Sequence, residues 1–208
     1  MTRLALPPLY AIVDPLDTGR SPEELARAML RGGARILQLR LKTASSRDLL
    51  AAARVLRGIT RDAGALLIVN DRADVARAAQ ADGVHLGQDD LPPAAARGVL
   101  GSGAIVGVST HDVAQARDAA AAGADYLGIG PVFTTSTKRD ALAARGIALV
   151  RAVREAVTAP LVAIGGITPD TAADVRAAGA DAVAMIGALV RADDVAAAVR
   201  DTLARLGA

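Results

Sequence analysis

Short apolar runs recur along the chain at near-even spacing, and each ends in a polar or glycine-bearing turn. Runs of four to eight such residues, bounded by turn formers, predict buried strands. They fall at Leu9 to Val13, Arg35 to Arg40, Leu66 to Val69, Val84 to Leu86, Ile105 to Val108, Tyr126 to Ile129, Leu161 to Ile164 and Ala182 to Ile186. The segments between them read as helices. Ser21-Pro22-Glu23-Glu24 is a helix start, with a capping hydroxyl, a proline and acids in the first turn. Leu25, Ala28 and Met29 then share a face, and Gly32-Gly33 ends the helix. Ser46 is expected to cap a longer helix carrying Leu49, Leu50, Ala53 and Leu56. Further helices are predicted from about Ala73 to Gln80, after Pro92-Pro93, from Asp112 to Ala122, near Ile147 to Val157, after Thr168-Pro169-Asp170, and through the C-terminus.

The result is eight strand–helix pairs in alternation. Dividing 208 residues among eight pairs leaves 26 each, close to the minimum such a unit needs. A faint echo repeats where a helix hands over to a strand: Gly33-Ala34, Ala81-Asp82-Gly83, Gly123-Ala124-Asp125 and Gly179-Ala180-Asp181. Continuous apolar strands in regular alternation imply a parallel sheet covered by helices. Eight units imply a closed (β/α)8 TIM barrel, one domain over residues 1–208. The first strand is not followed by Gly-x-Gly-x-x-Gly, which argues against an open dinucleotide-binding sheet.

Composition narrows the function. Hydrophobic residues make up 52% of the chain and aromatics only 1%, so the core must be Ala, Val, Leu and Ile. Net charge is +2 without a basic block, and Tyr10, Tyr126 and Phe133 are the only aromatic residues. This argues against stacking on nucleic acid. Cysteine is absent, which removes thiol catalysis and fits a reducing cytoplasm. No stretch has the apolar length of a membrane span, and Met1 to Pro8 lacks the apolar core of a signal peptide. A homo-oligomer is compatible with the sequence.

In a barrel of this kind the chemistry sits at the carboxyl ends of the strands. The second strand supplies Gln38, Arg40 and, just beyond it, Lys42, all on one side if the strand runs that far. The third ends in Asn70-Asp71, the fourth in Asp89-Asp90, and the fifth in Ser109 and His111. The sixth runs through Gly130-Pro131 into a hydroxyl-rich loop, Thr134-Thr135-Ser136-Thr137, ending in Lys138-Arg139. The seventh and eighth end in Gly165-Gly166 and Ile186-Gly187, nearly bare of side chains. Taken singly, the Asp pairs read as helix caps, His85 as a packed core residue, and the glycines as turn formers. Together they describe a ligand site. Two carboxylates on adjacent strand ends suit Mg2+, which takes its remaining ligands from water and phosphate. Arg40, Lys42 and Lys138 bring positive charge to the same mouth. Glycine backbone after the last two strands matches the usual barrel phosphate site. No nucleophile paired with a base stands out, so covalent catalysis is not favoured.

These residues resemble the thiamine-phosphate synthase family, also called thiamine-phosphate pyrophosphorylase. The resemblance is carried by Gln38-Leu39-Arg40-Leu41-Lys42, Val69-Asn70-Asp71, Asp82 to Asp90, Val108-Ser109-Thr110-His111, Gly130-Pro131-Val132-Phe133, Thr135-Ser136-Thr137-Lys138 and Ala163-Ile164-Gly165-Gly166-Ile167, in that order. It implies a transferase that joins hydroxymethylpyrimidine diphosphate to a thiazole phosphate (carboxylate) and releases pyrophosphate, the C–O bond breaking first. It further implies that Asp71 and Asp90 bind Mg2+. Gln38, Leu39, Arg40, Leu41, Lys42, Asn70, Ser109 and Lys138 would bind the pyrimidine diphosphate, with Arg40, Ser109 and Lys138 acting at the reacting group. Thr135, Ser136, Thr137, Gly166, Ile186 and Gly187 would bind the thiazole phosphate. Two positions depart from the family pattern. Leu41 stands where an acid is usual, and Gly187 where serine is common.

Two other readings stay open on sequence. A thiazole tautomerase shares the barrel but typically lacks the metal carboxylates and the loop lysine, which are present here. A barrel that binds phosphorylated ligands without turnover would need fewer of these charged residues.

Overall fold

The computed structural model describes residues 4–135 and 143–208. Eight strands close into a parallel barrel in chain order. They are β1 Leu9–Val13, β2 Ile36–Leu39, β3 Leu66–Asn70, β4 Gly83–Leu86, β5 Ile105–Thr110, β6 Tyr126–Ile129, β7 Leu161–Ile164 and β8 Ala182–Met185. Around them run α1 Pro22–Arg31, α2 Ser46–Asp62, α3 Ala73–Ala79, α4 Pro93–Leu100, α5 Val113–Ala121, α6 Gly146–Ala156, α7 Pro169–Ala177, α8 Gly187–Val190 and α9 Val195–Arg205. The expected alternation is present. β8 pairs with β1 through Tyr10↔Ala184, which closes the ring.

The strands are apolar on both faces because both are buried. Along β1, Leu9, Ala11 and Val13 face the helices, while Tyr10 and Ile12 face the barrel interior. The interior adds Ile36, Ile68, Val162, Ala182 and Ala184. Small residues on some strands make room for the two tyrosines on others. A Cβ at Gly107 would lie 2.0 Å from the Tyr126 ring, so the cross-strand neighbour Gly107↔Tyr126 is needed for the ring to fit.

Helix starts follow local chemistry. Ser21 and Glu24 form a reciprocal capping box at the start of α1, with Ser21 N donating to Glu24 at 2.7 Å and Glu24 N donating to Ser21 Oγ at 3.2 Å. The cap of α2 is Ser45, not Ser46. The Ser45 hydroxyl accepts from Asp48 N at 3.1 Å, and Ser46 is the first helical residue. Adjacent serines cannot be told apart by composition, and here the extended backbone at Ser45 decides. α8, a four-residue helix directly after β8, is too short to show a period in the sequence.

The repeated handover motif has a structural cause at the amino-terminal face of the barrel. Asp82, Asp125 and Asp181 each accept a backbone N–H from the start of the preceding strand, from Leu67, Val106 and Leu161 respectively, all at 2.8 Å. Each also pairs with an arginine from a helix: Arg57 at 2.9 Å, Arg97 at 2.9 Å and Arg154 at 3.1 Å. The unit is therefore two strand–helix pairs long and occurs three times. At the fourth position Gly33-Ala34 is followed by Arg35, and the carboxylate is missing.

Candidate active site

At the opposite face the strand ends open into a cavity of about 420 Å3. Gln38, Arg40, Asn70, Ser109, Thr135, Gly166, Ile186 and Gly187 line it, as the sequence led us to expect. Leu39 and Leu41 do not. β2 ends at Leu39, which is fully buried against the helices, and Leu41 packs on that same outer core. Any contact these two make with a ligand must come from backbone. Arg40 continues the ladder by one bond, from its N–H to Val13 O at 3.0 Å. Its guanidinium pairs with Asp14, which directly follows β1, and both side chains are nearly buried. Asp14 thus aims Arg40 at the cavity.

Lys42, Asp71 and Asp90 stand beside the cavity, next to Asn70. Lys42 Nζ lies 2.5 Å from Asp71 Oδ2. Asp71 has a left-handed backbone, φ 62°, and its N–H donates to His85 O at 2.7 Å. Asp90 Oδ2 accepts from Gly87 N at 2.6 Å. Asp71 and Asp90 are near enough for the charge of one to act on the other. Burial pushes the Asp90 carboxyl above the usual carboxylate range. The Gly87 amide opposes that rise, and the charge of Asp71 adds to it. Two carboxylates sharing one lysine leave a gap of excess negative charge, which fits a hard divalent cation. Among the described residues no group of three His, Asp or Glu side chains could hold a metal alone. A site made of two carboxylates would therefore draw its other ligands from phosphate and water.

Deeper in the barrel, polar side chains form a continuous row. Gln38 Nε2 donates to Tyr10 OH at 3.0 Å, and Tyr10 OH lies 2.8 Å from Tyr126 OH. Tyr126 OH lies 2.9 Å from His85 Nδ1, and His85 Nε2 lies 2.8 Å from Ser109 Oγ. His85 is indeed packed, stacked on the Tyr126 ring with centroids 5.5 Å apart, and it also reaches the cavity wall. Gly128 leaves room for it, since a Cβ there would lie 3.0 Å from His85 Cε1. His111 is anchored separately, its Nδ1 lying 2.6 Å from Gly130 O.

Across the mouth, Gly165 and Gly166 have φ of 104° and 62°. A Cβ on Gly165 would meet Pro131 at 2.6 Å, and one on Gly166 would meet Thr134 O at 2.4 Å. The pair therefore carries the loop after β6 against the end of β7, through Val132 N to Ile164 O and Phe133 N to Gly165 O, both 2.9 Å. The glycines serve loop packing as well as ligand access. Ser136, Thr137 and Lys138 lie outside the described residues. Gly187 opens α8, at the edge of the cavity.

The family model described as thiamine monophosphate synthase matches residues 9–189. The chain belongs to this family. It is 51% identical to the thiamine-phosphate synthase of Chloroflexus aurantiacus over 193 residues, which is 92% of this chain and 89% of the relative. It is 52% identical to that of Methanoculleus marisnigri over 201 residues, 96% of this chain and 95% of the relative. Among solved structures, the thiamine phosphate pyrophosphorylase of Pyrococcus furiosus superposes with a TM-score of 0.87 at 38% identity, covering 96% of this chain and 95% of that one.

Several wall residues of this thiamine monophosphate synthase family member escaped the sequence reading. Asp14, between β1 and Pro15, has in the sequence only the look of a turn residue. Tyr10 and Tyr126 counted only as too few for nucleic-acid stacking. Their signal was their isolation, as the only tyrosines in an aromatic-poor chain, each on a strand. Arg191 also lines the cavity, from the C-terminal end of α8, where it pairs with Asp17 at 3.3 Å.

Proposed function

We propose that this mouth couples hydroxymethylpyrimidine diphosphate to a thiazole phosphate, with Mg2+ held by Asp71 and Asp90, and releases pyrophosphate. Family membership makes the chain an enzyme, a transferase that forms thiamine phosphate. The proposal concerns which residues do what. One observation carries it: a close carboxylate pair stands with Arg40 and Lys42 on the β2–β4 side of the mouth, facing a glycine-backbone edge on the β7–β8 side.

Arg40, held by Asp14, keeps further N–H donors for the diphosphate. Lys42 is half-exposed on a flexible stem and can turn from Asp71 to a phosphate oxygen. Ser109 and Asn70 offer hydrogen bonds to the pyrimidine diphosphate. Thr135 and the backbone at Gly166 and Gly187 take the thiazole phosphate on the far side, so that the two substrates meet over the cavity. Bound Mg2+ would neutralise charge that builds on the departing diphosphate. Lys138 would add to that charge stabilisation.

The test is thiamine phosphate and pyrophosphate formed from the two substrates, with and without Mg2+. Product in Mg2+ that disappears on chelation, with the circular dichroism spectrum unchanged, is the expected result. Undiminished turnover after chelation would remove the metal assignment. Absence of coupling with thiazole tautomer exchange intact would favour the isomerase reading.

A further inference from the structure

The row from Gln38 to Ser109 takes its direction from the orientation of the Gln38 amide, whose nitrogen faces Tyr10. An amide nitrogen can only donate, so Tyr10 O accepts from Gln38 Nε2. Tyr10 and Tyr126 are fully buried, and burial pushes both phenols up, so each carries one proton. The Tyr10 proton then goes to Tyr126, and the Tyr126 proton to His85 Nδ1. An imidazole that accepts at Nδ1 is neutral and carries its proton on Nε2. That proton points at Ser109 Oγ, 2.8 Å away. Ser109 accepts it, and its own proton is left for the cavity that it lines. In the reverse direction Tyr10 would aim its proton at the Gln38 NH2. A doubly protonated His85 meets the same conflict, because its Nδ1–H would turn Tyr126 towards Tyr10 and Tyr10 towards Gln38.

We propose that Gln38, Tyr10, Tyr126 and His85 are positioning residues that commit the Ser109 hydroxyl to donating, and that it donates to an acceptor atom of the bound pyrimidine diphosphate. The ligand rests on the function proposed above. The row itself is a property of the free protein. It has a built-in contrast: His111 Nδ1 faces a carbonyl, Gly130 O, which can only accept, so His111 carries its proton on Nδ1. The chain's only two histidines should therefore differ at Nδ1, bare in His85 and protonated in His111.

The experiment is 15N–1H correlation of the histidine rings in the labelled full-length protein without ligands, with His111→Asn assigning the two signals. The expected spectrum has a protonated Nε2 and a bare Nδ1 on His85, and a protonated Nδ1 on His111. In Tyr126→Phe, His85 Nδ1 loses its donor. Its 15N shift should move, and kcat should fall about tenfold, the scale of one lost hydrogen bond, with the thiazole KM unchanged. Tyr10→Phe should shift the same signal less, and it serves if Tyr126→Phe does not fold. A proton on His85 Nδ1 in the wild type would overturn the proposal. So would a Tyr→Phe variant with unchanged spectrum and kcat. A protein with the predicted tautomers but no coupling activity would instead overturn the function reading and the ligand named here, and leave the row's direction standing.

Discussion

The two ends of the barrel use aspartate in opposite ways. At the amino-terminal face, Asp82, Asp125 and Asp181 each have an arginine and a strand N–H. At the mouth, Asp71 and Asp90 stand near each other with Lys42 as their shared cation. The first arrangement is complete in the protein alone and stitches neighbouring units together. Among the described residues the second sets one lysine against two carboxylates. A barrel can thus hold its shape with one end and keep the other charged for binding, because the ends share no side chains.

This contrast can be broken at either end. The largest effect is expected at the mouth, where Asp90→Asn should lower kcat about 10²–10³-fold, the range for losing a charge-stabilising element. The same variant should not be less stable. The folded-state pKa of Asp90 is raised, so folding favours its protonated form. Its stabilising contribution is present below the unfolded pKa and is lost as pH rises through the folded pKa. Without metal at neutral pH, Asp90→Asn should therefore melt at or slightly above the wild-type temperature, and the difference should vanish in acid. Thermal melts from pH 4 to pH 8 and steady-state rates check both halves. A variant that is active, or that melts well below wild type at neutral pH, would erase the distinction between the two ends.

Next in size is Asp125→Ala at the other end. It removes the partner of Arg97 and strands the Val106 N–H, which should cost about 2 kcal/mol of stability. Below the melting transition, kcat and both KM values should stay within about twofold, since loss of a remote structural contact acts through folding. Chemical denaturation and steady-state kinetics on the same preparation measure this. A large kcat loss in a well-folded sample would mean that the two ends are coupled.

The smallest effect sharpens the picture within the mouth. Gly166→Ala puts a Cβ against Thr134 O at a positive φ, so the loop after β6 must shift. The thiazole-phosphate KM should rise about tenfold, and the diphosphate KM by no more than about twofold, as for the loss of one binding contact. Equal rises would mean that the loop serves both substrates.

Much of this was legible in the sequence because it is local. Apolar runs and turn formers placed every strand to within two residues at either end. Position after a strand was enough to bring Gln38, Arg40, Asn70, Ser109 and Gly166 to one cavity, since a parallel barrel sends all its strand ends to the same face. The motif at Asp82, Asp125 and Asp181 was visible as a repeat, but its meaning was not. The arginine that answers each carboxylate lies 25 to 28 residues earlier, and no local pattern links the two.

The sequence by itself determined the order of elements, the closed barrel and the end at which the polar residues gather, because helix and strand periods and turn chemistry act over a few residues. Only the tertiary structure decided which of those residues touch. It paired Arg40 with Asp14 across β1 and β2, set Asp90 against Asp71, and joined Tyr10 to Tyr126 over 116 positions of chain. Such contacts depend on strand register and on the space that glycines such as Gly107 leave for a neighbour's ring. Both are fixed only when the barrel closes.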